Sequence, residues 1–354
     1  MNHTKIVLDD YDILLGNAAY LLNQYLANTS YSEHFVLVDD NTVEHCLPLL
    51  QQKFETYQIL QIPSGELHKN IETCQQLWTH LMNHQANRNA LLINLGGGVI
   101  GDMGGFVAST FKRGFDFIQI PTTLLAQVDA SIGGKLGIDF AGIKNSVGLF
   151  KNPKQVIIDP NFIKTLPNRQ ILSGYAEILK HALIADKDYW DRLYDLKPLE
   201  LSVEVWNSII IDSLNIKKEV VKADPFEKGI RKVLNYGHTI GHAIESYSLD
   251  KDKDPLLHGE AVALGLWLEA FLSVRVGTLS MTEFADIEKL IHRLYLKYQF
   301  SDKILTDLLF YMKNDKKNTK KGNNFTLLQK IGKSKHNCIV DDERFIMEFN
   351  YLAK

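Results

Sequence analysis

The stretch that most constrains this chain is Ala90 to Thr110, ALLINLGGGVIGDMGGFVAST, where an apolar run empties into a cluster of glycines. Ala90 to Leu95 reads as a strand buried on both faces. Gly96, Gly97, Gly98, Gly101, Gly104 and Gly105 follow. Glycine at that density permits backbone conformations that a Cβ forbids and lets the chain lie against a ligand. A helix from Met103 to about Ser109 would turn its free N–H groups toward an anion. GGGVIG also has the spacing G-x-G-x-x-G of a dinucleotide pyrophosphate loop, although a strand–helix turn with no ligand satisfies it equally. The next strand, Phe115 to Ile120, ends in Pro121, Thr122 and Thr123 with no carboxylate, so a ribose would be held from elsewhere.

The first third alternates strand and helix signals. Phe35 to Val38 is a short apolar strand ending in Asp39, Asp40 and Asn41, and Thr42 to Tyr57 is helical. Gln58 to Ile62 is a second strand, closed by Pro63-Ser64-Gly65-Glu66, and Asn70 to Gln85 spaces Ile71, Leu77 and Leu81 as a helix face. Repeated βαβ units imply an α/β fold, a parallel sheet with helices on both faces and ligands at the carboxyl ends of its strands. Those ends carry Asp39 to Asn41, Glu66 to Lys69, the glycine loop and Thr122-Thr123. Asp39 is the best candidate for the ribose ligand, although a solvated turn aspartate would look the same.

Around Leu166-Pro167 the pattern changes. Helical spacing recurs in Gln170 to Ala185, Leu201 to Val221, Arg231 to Tyr247, Glu260 to Val276, Met281 to Leu296 and Ser301 to Met312. This divides the chain into an α/β nucleotide-binding domain, 1–166, and an all-α domain, 167–354. Lys313 to Lys321 is a lysine-rich solvated loop, and Phe325 to Ile331 with Cys338 to Val340 suits a closing hairpin. A chain of 354 residues can bury two cores. Its net charge of −3 gives no ground for a nucleic acid or anionic membrane partner. Cys46, Cys74 and Cys338 fit neither a disulfide framework nor a metal spacing. No apolar stretch approaches the ~18 residues of a membrane span, and charges in MNHTKIVLDD break the apolar run a signal peptide needs. A cytoplasmic enzyme or binding protein remains.

Three polar groupings carry chemistry. Leu125 to Asn145 is a glycine-rich loop presenting Asp129, Lys135, Lys144 and Asn145, donors suited to a phosphate or carboxylate. Glu177, Lys180 and His181 fall on one face of an otherwise apolar helix. In LNYGHTIGHAIE, His238 and His242 stand one turn apart with Glu245 beyond them, and His258 opens the next helix in LHGE. Paired histidines at i, i+4 are a common zinc arrangement, so spacing alone selects His238 and His242 as joint ligands. A glycine inside a helix costs roughly 1 kcal/mol relative to alanine, so those beside the three histidines imply a close approach at each.

In order, GGGVIGD, TFKRG, PTTLLAQVDASIGGK, GIKN, SGYAEILKHA, LNYGHTIGHAIE and LHGEAVALG resemble the 3-dehydroquinate synthase family from about Phe35 to Lys317. The resemblance implies an N-terminal nucleotide-binding α/β domain, a helical C-terminal domain with a deep cleft between them, a homodimer, NAD, and a divalent metal, zinc or cobalt. It assigns the metal to Glu177, His238 and His258, and makes His242 a catalytic, phosphate-contacting residue. It places NAD against Asp39, Asp40, Asn41, Glu66, Leu67, His68, Lys69, Gly97, Gly98, Val99, Asp102, Thr122 and Thr123. Asp129, Lys135, Lys144, Asn145, Lys180, Lys217, Arg231 and Asn235 become the substrate shell, with Lys316 or Lys317. Glu227 becomes a further proton-handling position, and Arg113 reaches the neighbouring subunit's site. The implied substrate is a sugar phosphate acid, 3-deoxy-D-arabino-heptulosonate 7-phosphate. Other sugar phosphate cyclases (aminodehydroquinate, inosose or valiolone synthases) share the fold, as does a metal- and NAD-dependent dehydrogenase of the glycerol type. One departure is SLDKDKDP before His258, about four residues longer than the family pattern, a length that a surface loop accommodates cheaply.

Overall fold

The computed structural model describes residues 3–51, 57–141, 143–295, 302–313 and 322–352. Lys316 and Lys317 lie outside them. By contacts the chain forms two units, Met1–Pro167 with Ser202–Lys218, and Asn168–Leu201 with Glu219–Lys354. The helix Val203–Ala223, expected wholly in the second domain, thus gives most of its length to the first unit.

The strands of the first unit are β1 (Thr4–Val7), β2 (Asp12–Leu15), β3 (His34–Asp39), β4 (Gln58–Ile62), β5 (Leu91–Gly96), β6 (Asp116–Pro121), β7 (Lys135–Phe140), β8 (Ile143–Phe150) and β9 (Gln155–Ile158). Seven of them form a sheet in the order β1-β2-β9-β6-β5-β3-β4, antiparallel only between β1 and β2. Alternation along β3 shows why both faces are covered. Phe35 and Leu37 enter one core, with Leu77 and Met103; Val36 and Val38 enter the other, with Leu21 and Ile93. From β3 the chain first adds β4 on one side, then returns to add β5 on the other, which puts the topological switch point between β3 and β5.

Two local expectations change. The stretch Thr42 to Tyr57 forms two short helices, Asp40–His45 and Leu47–Gln51, before the undescribed residues. The glycine-rich segment from Leu125 to Asn145 is a π-turn, Ala126–Ala130, and then the antiparallel hairpin β7–β8. Gly148 is needed there because a Cβ would lie 2.3 Å from the Leu136 carbonyl oxygen. The three cysteines are free thiols.

The second unit is built around His258–Val276, a helix whose residues 259–273 are all buried. Against it pack the helices Asn168–Ala185, His238–Lys251 and Met281–Leu294 and the hairpin β10 (Asn323–Lys330) and β11 (Lys333–Val340), so this unit is helical but not all-α. No described helix is long and apolar enough to cross a membrane.

Candidate functional site

The glycine stretch meets its first purpose inside the fold. The helix begins at Gly98, five residues before the expected start, and runs Gly98–Thr110. None of its glycines has positive φ. A Cβ on Gly104 would lie 2.1 Å from Asn94 Oδ1, and one on Gly105 2.4 Å from Leu136 Cδ2. These glycines let the helix press onto β5 and β7. Only the first of them, Gly97 and Gly98, stand at the helix N-terminus, where unsatisfied N–H groups favour an anion.

That N-terminus sits at the carboxyl end of β5, beside the ends of β3 and β6. Asp39 there caps the helix Asp40–His45, its Oδ1 accepting from the backbone N of Asn41 (3.0 Å) and Thr42 (2.8 Å). The expected ribose ligand therefore also has a structural duty. Asp40 accepts from Gln61 Nε2 at 2.9 Å and Ser64 N at 3.2 Å, which ties the ends of β3 and β4 together. Leu67 is almost fully exposed in the turn Glu66–His68. Lys69 next to it is buried, its Nζ 2.6 Å from Asp102 Oδ2 and 2.7 Å from Asn145 Oδ1. Burial alone would discharge the ammonium, but Asp102 and then Glu66 hold its pKa above the usual lysine value. Thr122 is buried with its N–H on the Gly96 carbonyl, and Thr123 Cγ2 lies 3.0 Å from where a Gly97 Cβ would stand. Lys217 is buried and paired with Asp129 through both its side chain and its carbonyl. Lys135 and Lys144 are exposed on the hairpin. Arg113 is exposed as well, in the turn Lys112-Arg113-Gly114, whose three residues all have positive φ.

In the second unit Glu177, Lys180 and His181 are buried together, not solvated. Lys180 pairs with Glu177, and this cation, followed by His238, outweighs burial and holds the carboxylate well below its usual pKa. His238 Nε2 lies 3.4 Å and His258 Nε2 3.6 Å from Glu177 Oε1. Burial, then Lys180, pushes His238 down to about 4, so the ring is neutral. Its Nδ1 lies 3.1 Å from the Tyr236 carbonyl oxygen, which can only accept, so Nδ1 carries the proton and Nε2 presents its lone pair to Glu177. His258 goes the other way. Despite burial, Glu177 and Glu245 raise it to about 10, which marks a place that favours positive charge. His242 completes the group, its ring centroid 5.2 Å from that of His238 and 5.7 Å from that of His258.

These donors fit a divalent ion. Two ligands at about 2.05 Å from a tetrahedral zinc stand about 3.3 Å apart, close to the 3.4 Å between Glu177 and His238. Neither buried oxygen of Glu177 meets hydrogen-bond geometry with a neighbour. Two overlapping sets of three are available, Glu177 with His238 and His258, or the three histidines, whose ring nitrogens lie within 4.8 Å of one another.

The close approach expected at the glycines beside the histidines is made by packed protein. A Cβ on Gly259 would meet the Ser173 carbonyl oxygen at 1.8 Å, one on Gly237 the Leu266 Cδ2 at 2.5 Å, and one on Gly241 the Val262 Cα at 3.1 Å. Gly237, at φ +78°, breaks the chain before His238, so Arg231 lies in a separate 3-10 turn, Ile230–Asn235, and not on the histidine helix as expected. Arg231 is buried; its Nη1 donates to the Pro225 carbonyl and its backbone N to Asp224. Asn235 Nδ2 donates to Glu227 Oε1 at 2.8 Å, with Glu227 held at φ +57°. Sequence reasoning passed over Glu269, whose buried oxygens accept from Gly237 N and Ile240 N at the start of the histidine helix. Its one signal was a carboxylate within LGLWLEAFL.

Residues 59–173 match the family model for the 3-dehydroquinate synthase N-terminal domain, and residues 174–318 that for its C-terminal domain. The chain is 42% identical to 3-dehydroquinate synthase of Parabacteroides distasonis, over 94% of this chain and 95% of the other. It is 40% identical to that of a Sulfurovum species, over 99% and 96%. Among solved structures it is similar to a 2-deoxy-scyllo-inosose synthase complexed with carbaglucose-6-phosphate, NAD+ and Co2+, at 22% identity, TM-score 0.85 and 99% coverage of both chains. It is also similar to a 2-epi-5-epi-valiolone synthase from Streptomyces hygroscopicus with NAD+ and Zn2+ bound, at 23%, 0.84, and 100% and 99% coverage. A glycerol dehydrogenase from Schizosaccharomyces pombe follows at 15%, 0.67, and 99% and 90% coverage, an likeness of fold alone, as are the other two.

Proposed function

The chain belongs to the 3-dehydroquinate synthase family, and from that premise we propose that it converts 3-deoxy-D-arabino-heptulosonate 7-phosphate to 3-dehydroquinate and phosphate with NAD and a divalent metal. The net reaction is an elimination with ring closure and leaves no redox change. When bound, NAD would supply a transient hydride acceptor, and zinc or cobalt a Lewis acid that lowers the pKa of the hydroxyls it holds.

The observation that carries this reading is the meeting of Glu177, His238 and His258 from three helices, with His238 in the tautomer a metal needs. Glu177 is favoured over His242 as the third ligand because one of its oxygens, Oε1, faces Nε2 of both His238 and His258, at 3.4 and 3.6 Å. The N–H groups of Gly97, Gly98 and Val99 would receive the NAD pyrophosphate, with Asp102 and Lys69 fixing the loop beneath. Lys135, Lys144, Asn145, Lys180, Lys217 and Arg231 would take the substrate's two anionic groups, the phosphate and the carboxylate. Asn235 and the Glu227 it holds, with His242, would move protons there, and exposed Arg113 would serve the partner subunit of a cytoplasmic homodimer.

The test offers the heptulosonate phosphate with a trace of NAD. Phosphate should appear in molar excess over NAD with no steady rise in NADH. NADH formed in step with substrate would instead place the protein with the polyol dehydrogenases that share its fold.

A further inference from the structure

We infer that Arg169 is a positioning residue for the ion assigned to Glu177, His238 and His258, acting through Glu260 in the first turn of the helix that His258 opens. The inference rests on the metal reading above.

Arg169 lies in the first turn of Asn168–Ala185, the helix that carries Glu177. Its Nε and Nη2 donate in parallel to Glu260 Oε1 at 2.8 Å and Oε2 at 2.7 Å. Glu260 is two residues past His258, and its Oε2 also accepts from Leu257 N at 2.8 Å, closing the first turn of the helix His258 begins. The same guanidinium reaches back into the charged insertion, with Nη1 on the two Asp254 oxygens at 3.0 and 3.2 Å and Nη2 on the Pro255 carbonyl at 3.0 Å. Within the strap, Ser248 Oγ accepts from Leu256 N and donates to Asp252. One side chain thus ties the helix of one metal ligand to the helix of another and to the segment between.

The two legs differ in weight. Asp254 is 86% exposed, and an exposed ion pair contributes little. Glu260 is 11% exposed and bound by both arms of a planar fork, a geometry that lysine, a point charge, cannot reproduce. Loss of the fork should let His258 drift from Glu177. Groups that orient metal ligands change affinity about 10–100-fold when removed.

The experiment titrates chelator-stripped protein with Co2+ alone, following its visible absorption and competing with a chromophoric chelator. Wild type should bind one Co2+ per chain; if it binds none, the metal reading fails, whatever Arg169 does. Arg169→Ala and Arg169→Lys should both weaken Co2+ binding about tenfold or more and alter the visible band, with the metal-free melting temperature close to wild type for the lysine variant. Asp254→Ala, at an exposed position that cannot cost the fold, should weaken it only about two- to threefold. Wild-type affinity and spectrum in Arg169→Lys overturn the inference, and this holds even if Arg169→Ala does not fold.

Discussion

His258 Nδ1 lies 3.1 Å from Glu245 Oε2, while its Nε2 faces Glu177 at 3.6 Å. The carboxylate can only accept, so it fixes a proton on Nδ1 and leaves Nε2 for the metal proposed there. Glu245→Gln keeps the shape and replaces the charge with an amide that can present the wrong group. Metal affinity should fall about tenfold, read by chelator competition, and excess metal should restore turnover. Affinity equal to wild type would reduce Glu245 to a packing role.

The packing account of the glycine helix separates two neighbours in one motif. A methyl on Gly104 would lie 2.1 Å from Asn94 Oδ1 and 2.7 Å from Leu37 Cδ2, whereas on Gly98 it meets only Ala130 Cβ, at an ordinary 3.5 Å. Gly104→Ala should cost about 1–3 kcal/mol in denaturant unfolding, as overpacking does. Gly98→Ala should be near neutral for stability and act on NAD binding alone. Equal stability losses in the two would return the glycines to a common loop role.

The four-residue strands β1, β2 and β9 went unread. The other four strands of the sheet and most helices were legible, the strands as apolar runs such as Phe35 to Val38 and the helices through apolar spacing such as that in residues 71–81. The purpose of the glycines was not, because what a missing Cβ makes room for depends on residues far away in sequence, such as Ser173 beside Gly259. The same holds for Arg169, an ordinary charge at a helix start until Glu260 and Asp254 come to it. Spacing drew His238 and His242 together, and it had no means of weighing Glu177, which another helix supplies. The β7–β8 hairpin was hidden by its own glycines, which read as a loop.

Arg113 tests assembly. It is exposed at φ +69°, a backbone state held on either side by Lys112 and Gly114, so its side chain is presented outward at a cost in conformation. In the proposed homodimer, Arg113→Ala and Lys180→Ala should each be nearly inactive. After subunit exchange at equal amounts, half the dimers are mixed and each has one site with both groups intact, so about a quarter of wild-type activity should return. No recovery, with exchange verified by tagged subunits, would place Arg113 in its own subunit's site.

Substrate choice rests on Arg231. Its guanidinium is buried, with Nη1 on the Pro225 carbonyl at 2.5 Å and the backbone N on Asp224 Oδ2 at 3.1 Å, so the loop fixes where the fork points. A planar fork binds a carboxylate through two parallel bonds. Losing two charge-assisted hydrogen bonds costs about 3–6 kcal/mol, on the order of 100-fold or more in kcat/KM. Arg231→Lys should therefore bind metal and NAD as wild type does and melt at a similar temperature, yet turn over the heptulosonate phosphate poorly. Inosose and valiolone synthases act on sugar phosphates without a carboxylate, and a site of that kind would lose little. Wild-type kcat/KM in Arg231→Lys would thus remove the carboxylate from this loop and shift the reading toward an uncharged sugar phosphate.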